Sequence, residues 1–175
     1  MSPFLRPPAT ATGAAAARVV VPGLADGGGG GHHAGVASGA KRQRLAVYGV
    51  CRDDEGRLLL ARASPALTLR GRWFLPGGGV QHGERPADSL RREILEEAGL
   101  TVTLGPLLDV LSDVRTIPDG TSLHTVRLIY RVVRWEGTLR PETDGTTDAV
   151  AWFTPEELRE LPLARYVEDV VGRLL

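Results

Sequence analysis

Glu93, Glu96 and Glu97 stand at positions i, i+3 and i+4, a spacing that makes them neighbours on one side of a helix. Three carboxylates so close repel one another unless something positive sits between them, and the cation that suits oxygen ligands is a hard divalent one. Upstream, Gly77, Gly78 and Gly79 let the backbone turn sharply and approach a ligand closely. The stretch from Gly78 to Leu100, GGVQHGERPADSLRREILEEAGL, therefore reads as a glycine turn leading into an acid-bearing helix, and the chemistry it suggests is metal binding. Taken singly, the same charges would be a solvated helix face, with Arg92 and Glu96 an ordinary i, i+4 pair.

The helix that carries these acids is predicted to start at Pro86, a residue favoured at the first helical position, and to stop at Gly99. Arg85 is a poor N-cap, so Glu84 or Asp88 is expected to satisfy the first amides. Ala87, Leu90, Ile94 and Ala98 form the apolar stripe and belong to the core. Before the helix, LAVYGVCR from Leu45 and RLLLARA read as strands of a hairpin closed by DDEG, and Trp73-Phe74-Leu75-Pro76 as a third short strand. After it come TVTLGPLLDVLSDVRT and SLHTVRLIYRVVRWEG, joined by a turn at IPDG; a polar loop PETDGTTD; and the strand AVAWF. TPEELREL begins a helix with Thr154 as N-cap and Pro155 in its first turn, and LARYVEDVVGRLL is a second amphipathic helix. Strands surrounding helices in this order indicate an α/β or α+β sandwich.

At 175 residues and 18.7 kDa the chain suits one catalytic domain. Residues 1–40, rich in Ala, Gly and Pro with five consecutive glycines from Gly27, read as a disordered tail, and residues 41–175 as the domain. A targeting peptide fits the tail poorly, because Arg18 interrupts AAAARVVV, and His32 and His33 there suggest no defined site. Lys plus Arg equals Asp plus Glu at 21 each, which speaks against nucleic acid or a membrane surface held by bulk charge. The single Cys51 permits no internal disulfide, and it reads as a packed side chain rather than a nucleophile. With no apolar run near the roughly 18 residues of a membrane span, a cytoplasmic protein is expected.

The central stretch resembles the Nudix box, G-x5-E-x7-R-E-U-x-E-E-x-G-U with U aliphatic, met by Gly78, Glu84, Arg92, Glu93, Ile94, Glu96, Glu97, Gly99 and Leu100. The lead-in GRWFLPGG is similar too, and the resemblance extends from about Leu45 to the C-terminus. It implies a mixed β-sheet flanked by helices, and a pyrophosphohydrolase that splits the diphosphate of a nucleotide derivative with Mg²⁺, or Mn²⁺ in its place. Carried over, it puts Glu96, Glu97 and the Gly77 carbonyl on the metal. Glu93 is a further ligand or helps deprotonate water, Arg92 holds a glutamate by an ion pair, and Glu84 supports the site from the loop. Such chemistry needs charge neutralised on phosphate oxygens while water is aligned with phosphorus, and Mg²⁺ does both.

Outside the box, relatives of this kind recruit another acid from a later loop, for which Glu142, Asp144 and Asp148 are candidates and Glu142 is preferred. Arg62, Arg72 and His124 are candidates to meet phosphate or base, and Trp73 to stack on a base, although each suits a structural role as well. The substrate classes implied are a nucleoside triphosphate or a nucleotide sugar such as ADP-ribose. Pro118 falls slightly late for the proline of some ADP-ribose-cleaving members. Isopentenyl diphosphate isomerases share the fold but need a catalytic cysteine that Cys51 does not supply. A Nudix-like sensor that binds nucleotide without cutting it is the competing class, disfavoured by the intact glutamates and by the lack of a helix-turn-helix pattern in the tail. A homodimer is possible, though no exposed stripe in the sequence demands one.

Overall fold

The computed structural model describes residues 39–65, 70–142 and 145–174. The segment read as a tail lies outside them as far as residue 38, as does Asp144. The elements in order are β1 (Lys41–Cys51), β2 (Leu58–Ala63), β3 (Trp73–Phe74), β4 (Gly77–Gly79), α1 (Pro86–Ala98), β5 (Leu100–Thr116), β6 (Ser122–Gly137), β7 (Thr147–Phe153), α2 (Pro155–Leu158) and α3 (Arg165–Leu174). One sheet has the order β4-β1-β6-β5 and the other β3-β2-β7. The first is mixed, since β1 runs parallel to β6 and antiparallel to β4.

Alternation along β1 explains why helices lie on both of its faces. Ala46, Tyr48 and Val50 join a core with Leu58, Leu60, Val167 and Val170. Val47 and Cys51 join a second core with Leu59, Leu90, Ile94, Ala98 and Val132. A strand buried on both faces reads as a continuous apolar run, and α3 and α1 cover the two sides. Gly49 is needed here because a Cβ on it would stand 3.0 Å from both Ile94 Cδ1 and Val132 Cγ2. Its absence lets α1 sit down on the strand.

Several elements differ from expectation. The β1–β2 turn is present, with the Asp53 and Gly56 amides donating to Arg57 and Asp53 carbonyls and a bridge between Arg52 and Leu58. Beyond that bridge, however, the two strands part into different sheets and form no hairpin, because each is apolar on both faces and takes two neighbours of its own. The first strand begins at Lys41 rather than Leu45, since Lys41 to Arg44 pair with Ser122 to Thr125 and the ladder does not need apolar side chains there. Gly77 to Gly79 form a strand against β1 where a sharp turn was expected. The IPDG turn stands as expected, with the Gly120 amide donating to the Ile117 carbonyl at 2.9 Å. Thr154 caps α2 in a reciprocal capping box with Glu157. No helix among the described residues is long and apolar enough to cross a membrane.

Candidate active site

Two anchors fix α1: the stripe of Leu90, Ile94 and Ala98, each fully buried, and Gly99, whose left-handed backbone at φ 71° ends the helix. Arg85 makes no side-chain cap. Glu84 and Asp88 do not substitute for it: Glu84 accepts from the Gln81 amide and Asp88 pairs with Arg91. With the stripe set against β1, the next face of the helix turns toward β4.

Glu97 points at the glycine strand and is only 3% exposed. Its Oε2 accepts from the Gly77 amide at 2.8 Å, and its Oε1 accepts from the Thr147 hydroxyl at 3.2 Å. Burial pushes its pKa well above the ordinary carboxylate range, and the charges of Glu93 and Glu142 push the same way. Glu93 lies beside it against Gly78, where a Cβ would come within 2.6 Å of the carboxylate. Burial raises its pKa too, opposed by Arg92 and reinforced by Glu96 and Glu142. Gly77 has φ 137°, and a Cβ on it would collide with the Val47 carbonyl. The glycines therefore serve to admit β1 on one side and a carboxylate on the other.

Arg92 gathers the remaining acids. It meets Glu84 in a two-pronged ion pair, Nε to Oε1 at 2.9 Å and Nη2 to Oε2 at 3.0 Å. Its Nη1 reaches Glu93 at 2.9 Å and Glu96 at 3.1 Å, and Nη2 also donates to the Ser89 hydroxyl. These bonds lower the Glu84 pKa to about 2 and raise that of the guanidinium. Glu142 accepts from the Thr146 amide at 2.8 Å, and its charge is felt by both Glu93 and Glu97.

Among the described residues no three Asp, Glu, His or Cys side chains converge into a finished metal cage. The donor set nonetheless fits a hard cation. Glu97 is a buried carboxylate met by two neutral donors, Gly77 and Thr147, and such a group is stable only when a proton or a cation offsets its charge. Every candidate ligand is an oxygen, and a Mg²⁺ ion keeps several waters rather than demanding a closed protein cage.

The residues expected to touch substrate lie in several places. Arg62 and Trp73 face each other across β2 and β3, the guanidinium 5.6 Å from the ring centroid. Arg62 also donates to Asp148 at 2.7 Å, which occupies one of the candidate late acids. Trp73 meets Phe153 edge to face at 4.6 Å. Arg72 donates to the Leu163 carbonyl at 2.8 Å. His124 pairs with Gln43, five residues along β1 from Tyr48, which pairs with Gly77; that is ~17 Å of strand. Cys51 is fully buried, with its thiol pushed up to about 12.

Two contributors were not evident from sequence. Thr147 holds Glu97 across 50 residues of chain, with no local pattern to mark it. Arg44 lies 3.5 Å from where a Gly79 Cβ would be, brought there because β1 extends further toward the N-terminus than its apolar residues suggest.

The comparisons agree with this geometry. A Burkholderia pseudomallei MutT NUDIX hydrolase structure superposes with a TM-score of 0.67 at 27% identity, covering 77% of this chain and 99% of that one. A nucleoside triphosphatase NudI from Escherichia fergusonii is 35% identical over 130 residues, 70% of this chain and 89% of the relative. A MutT-like protein from Streptomyces ambofaciens is 33% identical over 131 residues, 75% of this chain and 74% of that one. With the NUDIX domain family model matching residues 42–172, the chain belongs to the Nudix hydrolases.

Proposed function

We propose that this hydrolase is a Mg²⁺-dependent pyrophosphohydrolase acting on a nucleoside triphosphate. The observation that carries the reading is Glu97, a buried carboxylate beside Glu93 at the glycine strand with only neutral hydrogen-bond donors for company. Glu96 and Glu97 would hold the cation together with the Gly77 carbonyl, Glu142 would join them from its loop, and Glu93 would be either a further ligand or the base. Mn²⁺ satisfies the same oxygen donors. When bound, the metal supplies charge neutralisation on the phosphate oxygens and lowers the pKa of a bound water.

The chain's own part is positioning. Arg92 keeps Glu84, Glu93 and Glu96 from repelling one another, and α1, pinned over Gly49, holds the acids at fixed spacing. Glu93, only partly exposed and with its pKa raised, is suited to accept the proton of an attacking water. Arg62, Arg72, Trp73 and His124 are candidates for the substrate side. Of these, Arg62 stacked on Trp73 is the more persuasive, because a preassembled cation and ring present both a phosphate and a base surface. A cytoplasmic setting, which is reducing, suits the single buried thiol.

The nucleoside triphosphate is preferred over ADP-ribose because the 35% identical relative, spanned over 89% of its length, is named a nucleoside triphosphatase. The test is hydrolysis of a panel of nucleoside triphosphates and nucleotide sugars with Mg²⁺, products identified by mass. Release of a nucleoside monophosphate and pyrophosphate from one or more triphosphates is expected. Binding without any turnover would mark the chain as a sensor and overturn the reading.

A further inference from the structure

Lys41 to Leu45, the first residues of β1, are exposed, so this end of the strand adds to neither core. Its ladder with Ser122 to Val126 is nonetheless complete, and what it delivers is Arg44. The guanidinium of Arg44 lies against β4, where a Cβ on Gly79 would stand 3.5 Å from both Nε and Nη2. Alternate residues of a strand face opposite sides, and on the other face Glu93 fills the matching place over Gly78. The glycine strand therefore has a cation on one face and a catalytic carboxylate on the other. Among the described residues β4 is also the end of its sheet. Its inward bonds run from the Gly49 amide to the Pro76 carbonyl and from the Val80 amide to the Leu45 carbonyl. By alternation, Gly77 and Gly79 turn their backbone groups off the open edge, where the Gly77 amide meets Glu97 and the Gly79 carbonyl meets the Ser89 hydroxyl.

The cations around this edge are otherwise committed. Arg92 is shared by Glu84, Glu93 and Glu96, Arg62 is held by Asp148 and Arg127 by Asp113, and Arg72 donates to the Leu163 carbonyl. Arg44 makes no ion pair among the described residues. An exposed guanidinium with free donors, carried on a flexible stem, suits two-pronged contact with phosphate oxygens. We propose that Arg44 is a further catalytic residue, gripping the oxygens of the diphosphate being split from the face of β4 opposite Glu93. The inference rests on the pyrophosphohydrolase reading above. In that reaction water adds to one phosphorus and gives up a proton, and the bridging oxygen leaves with the electron pair of the broken bond. Arg44 stays protonated throughout. Negative charge grows on the departing phosphate as the bond breaks, so the contact strengthens toward the transition state and acts on kcat.

The test compares the full-length wild type with Arg44→Ala and Arg44→Lys, with thermal unfolding of each. Because the side chain is exposed, melting temperatures should stay within a few degrees. For Arg44→Ala, kcat on a nucleoside triphosphate with Mg²⁺ should fall about 10²-fold, with KM changed less. Arg44→Lys, which keeps the charge and loses the fork, should fall between the two. Guanidinium chloride far below denaturing concentration should restore part of the Arg44→Ala rate and leave the wild type unimproved. Calorimetric titration with inorganic pyrophosphate in saturating Mg²⁺ should show binding about tenfold weaker in Arg44→Ala, while titration with Mg²⁺ alone should match wild type. An unchanged kcat, a loss that guanidinium does not relieve, or pyrophosphate binding equal to wild type would each overturn the assignment. A wild type that splits no triphosphate would instead overturn the substrate reading, and the pyrophosphate titration would still judge Arg44.

Discussion

The carboxylate of Glu93 occupies the space that a side chain on Gly78 would need: a Cβ there would lie 2.6 Å from both Cδ and Oε2. A glycine in strand β4 and a glutamate on α1 are thus one structural unit, and the glycine run follows from packing rather than from a bend.

Gly78→Ala displaces the tip of a flexible side chain, so its cost falls on catalysis more than on folding. The expected outcome is a drop in kcat of about tenfold or more, equivalent to ~1.4 kcal/mol of transition-state stabilisation, with a melting temperature within a few degrees of wild type. Steady-state kinetics beside thermal unfolding check this, and an unaffected kcat would show that Glu93 has room to work from elsewhere.

Glu97→Gln keeps an oxygen for the Gly77 amide and a polar partner for Thr147, but removes the negative charge. Loss of kcat by about 10²-fold or more is expected, with no loss of stability in metal-free buffer. Addition of Mg²⁺ should raise the melting temperature of wild type and leave that of the variant nearly unmoved. An equal metal-dependent shift in both would remove Glu97 from the ligand set.

Thr147→Val deletes one of the two donors to Glu97 while keeping the buried shape. A stability loss of ~1 kcal/mol is typical of such a hydrogen bond, and denaturant unfolding measures it. Because the remaining donor holds only one oxygen, the apparent affinity for Mg²⁺ should also weaken. Unchanged metal titration curves would confine Thr147 to a packing role.

The acids divide by pH. Glu97 and Glu93 have pKa values raised by burial, so between the unfolded value and the folded one the native state holds more protons than the unfolded state, and metal-free stability falls as pH rises. Glu84, lowered to about 2 by Arg92, acts in the opposite sense: its contribution is present above the unfolded value near 4.5 and disappears as pH falls toward 2. Unfolding free energy measured from pH 3 to 8 in EDTA should therefore decline on the neutral side, and Mg²⁺ should abolish that decline. A metal-free curve that rises steadily to pH 8 would mean that Glu97 is charged without help.

Much of this site could be read from local order in the sequence. The helix from Pro86 to Ala98, its buried Leu90, Ile94 and Ala98 and its stop at Gly99 all follow from order within one element. The IPDG turn and the Thr154 cap are likewise written in neighbouring residues. Even the ion pair of Arg92 with Glu84, eight residues apart, lies inside the one motif.

What needed the tertiary structure was everything that depends on which strand meets which. Sequence determined that β1 and β2 are strands joined by a tight turn, but their separation into two sheets was decided by the neighbours each found, β4 and β6 for one, β3 and β7 for the other. The partnership of Glu97 with Thr147, the seating of Glu93 on Gly78, and the union of Arg62 with both Trp73 and Asp148 belong to the same class. Helix periodicity is a property of a few consecutive residues and is fixed by backbone sterics and burial along one axis. Pairing across strands is a choice among many distant partners of similar apolar character, and only the packing of the whole core selects one.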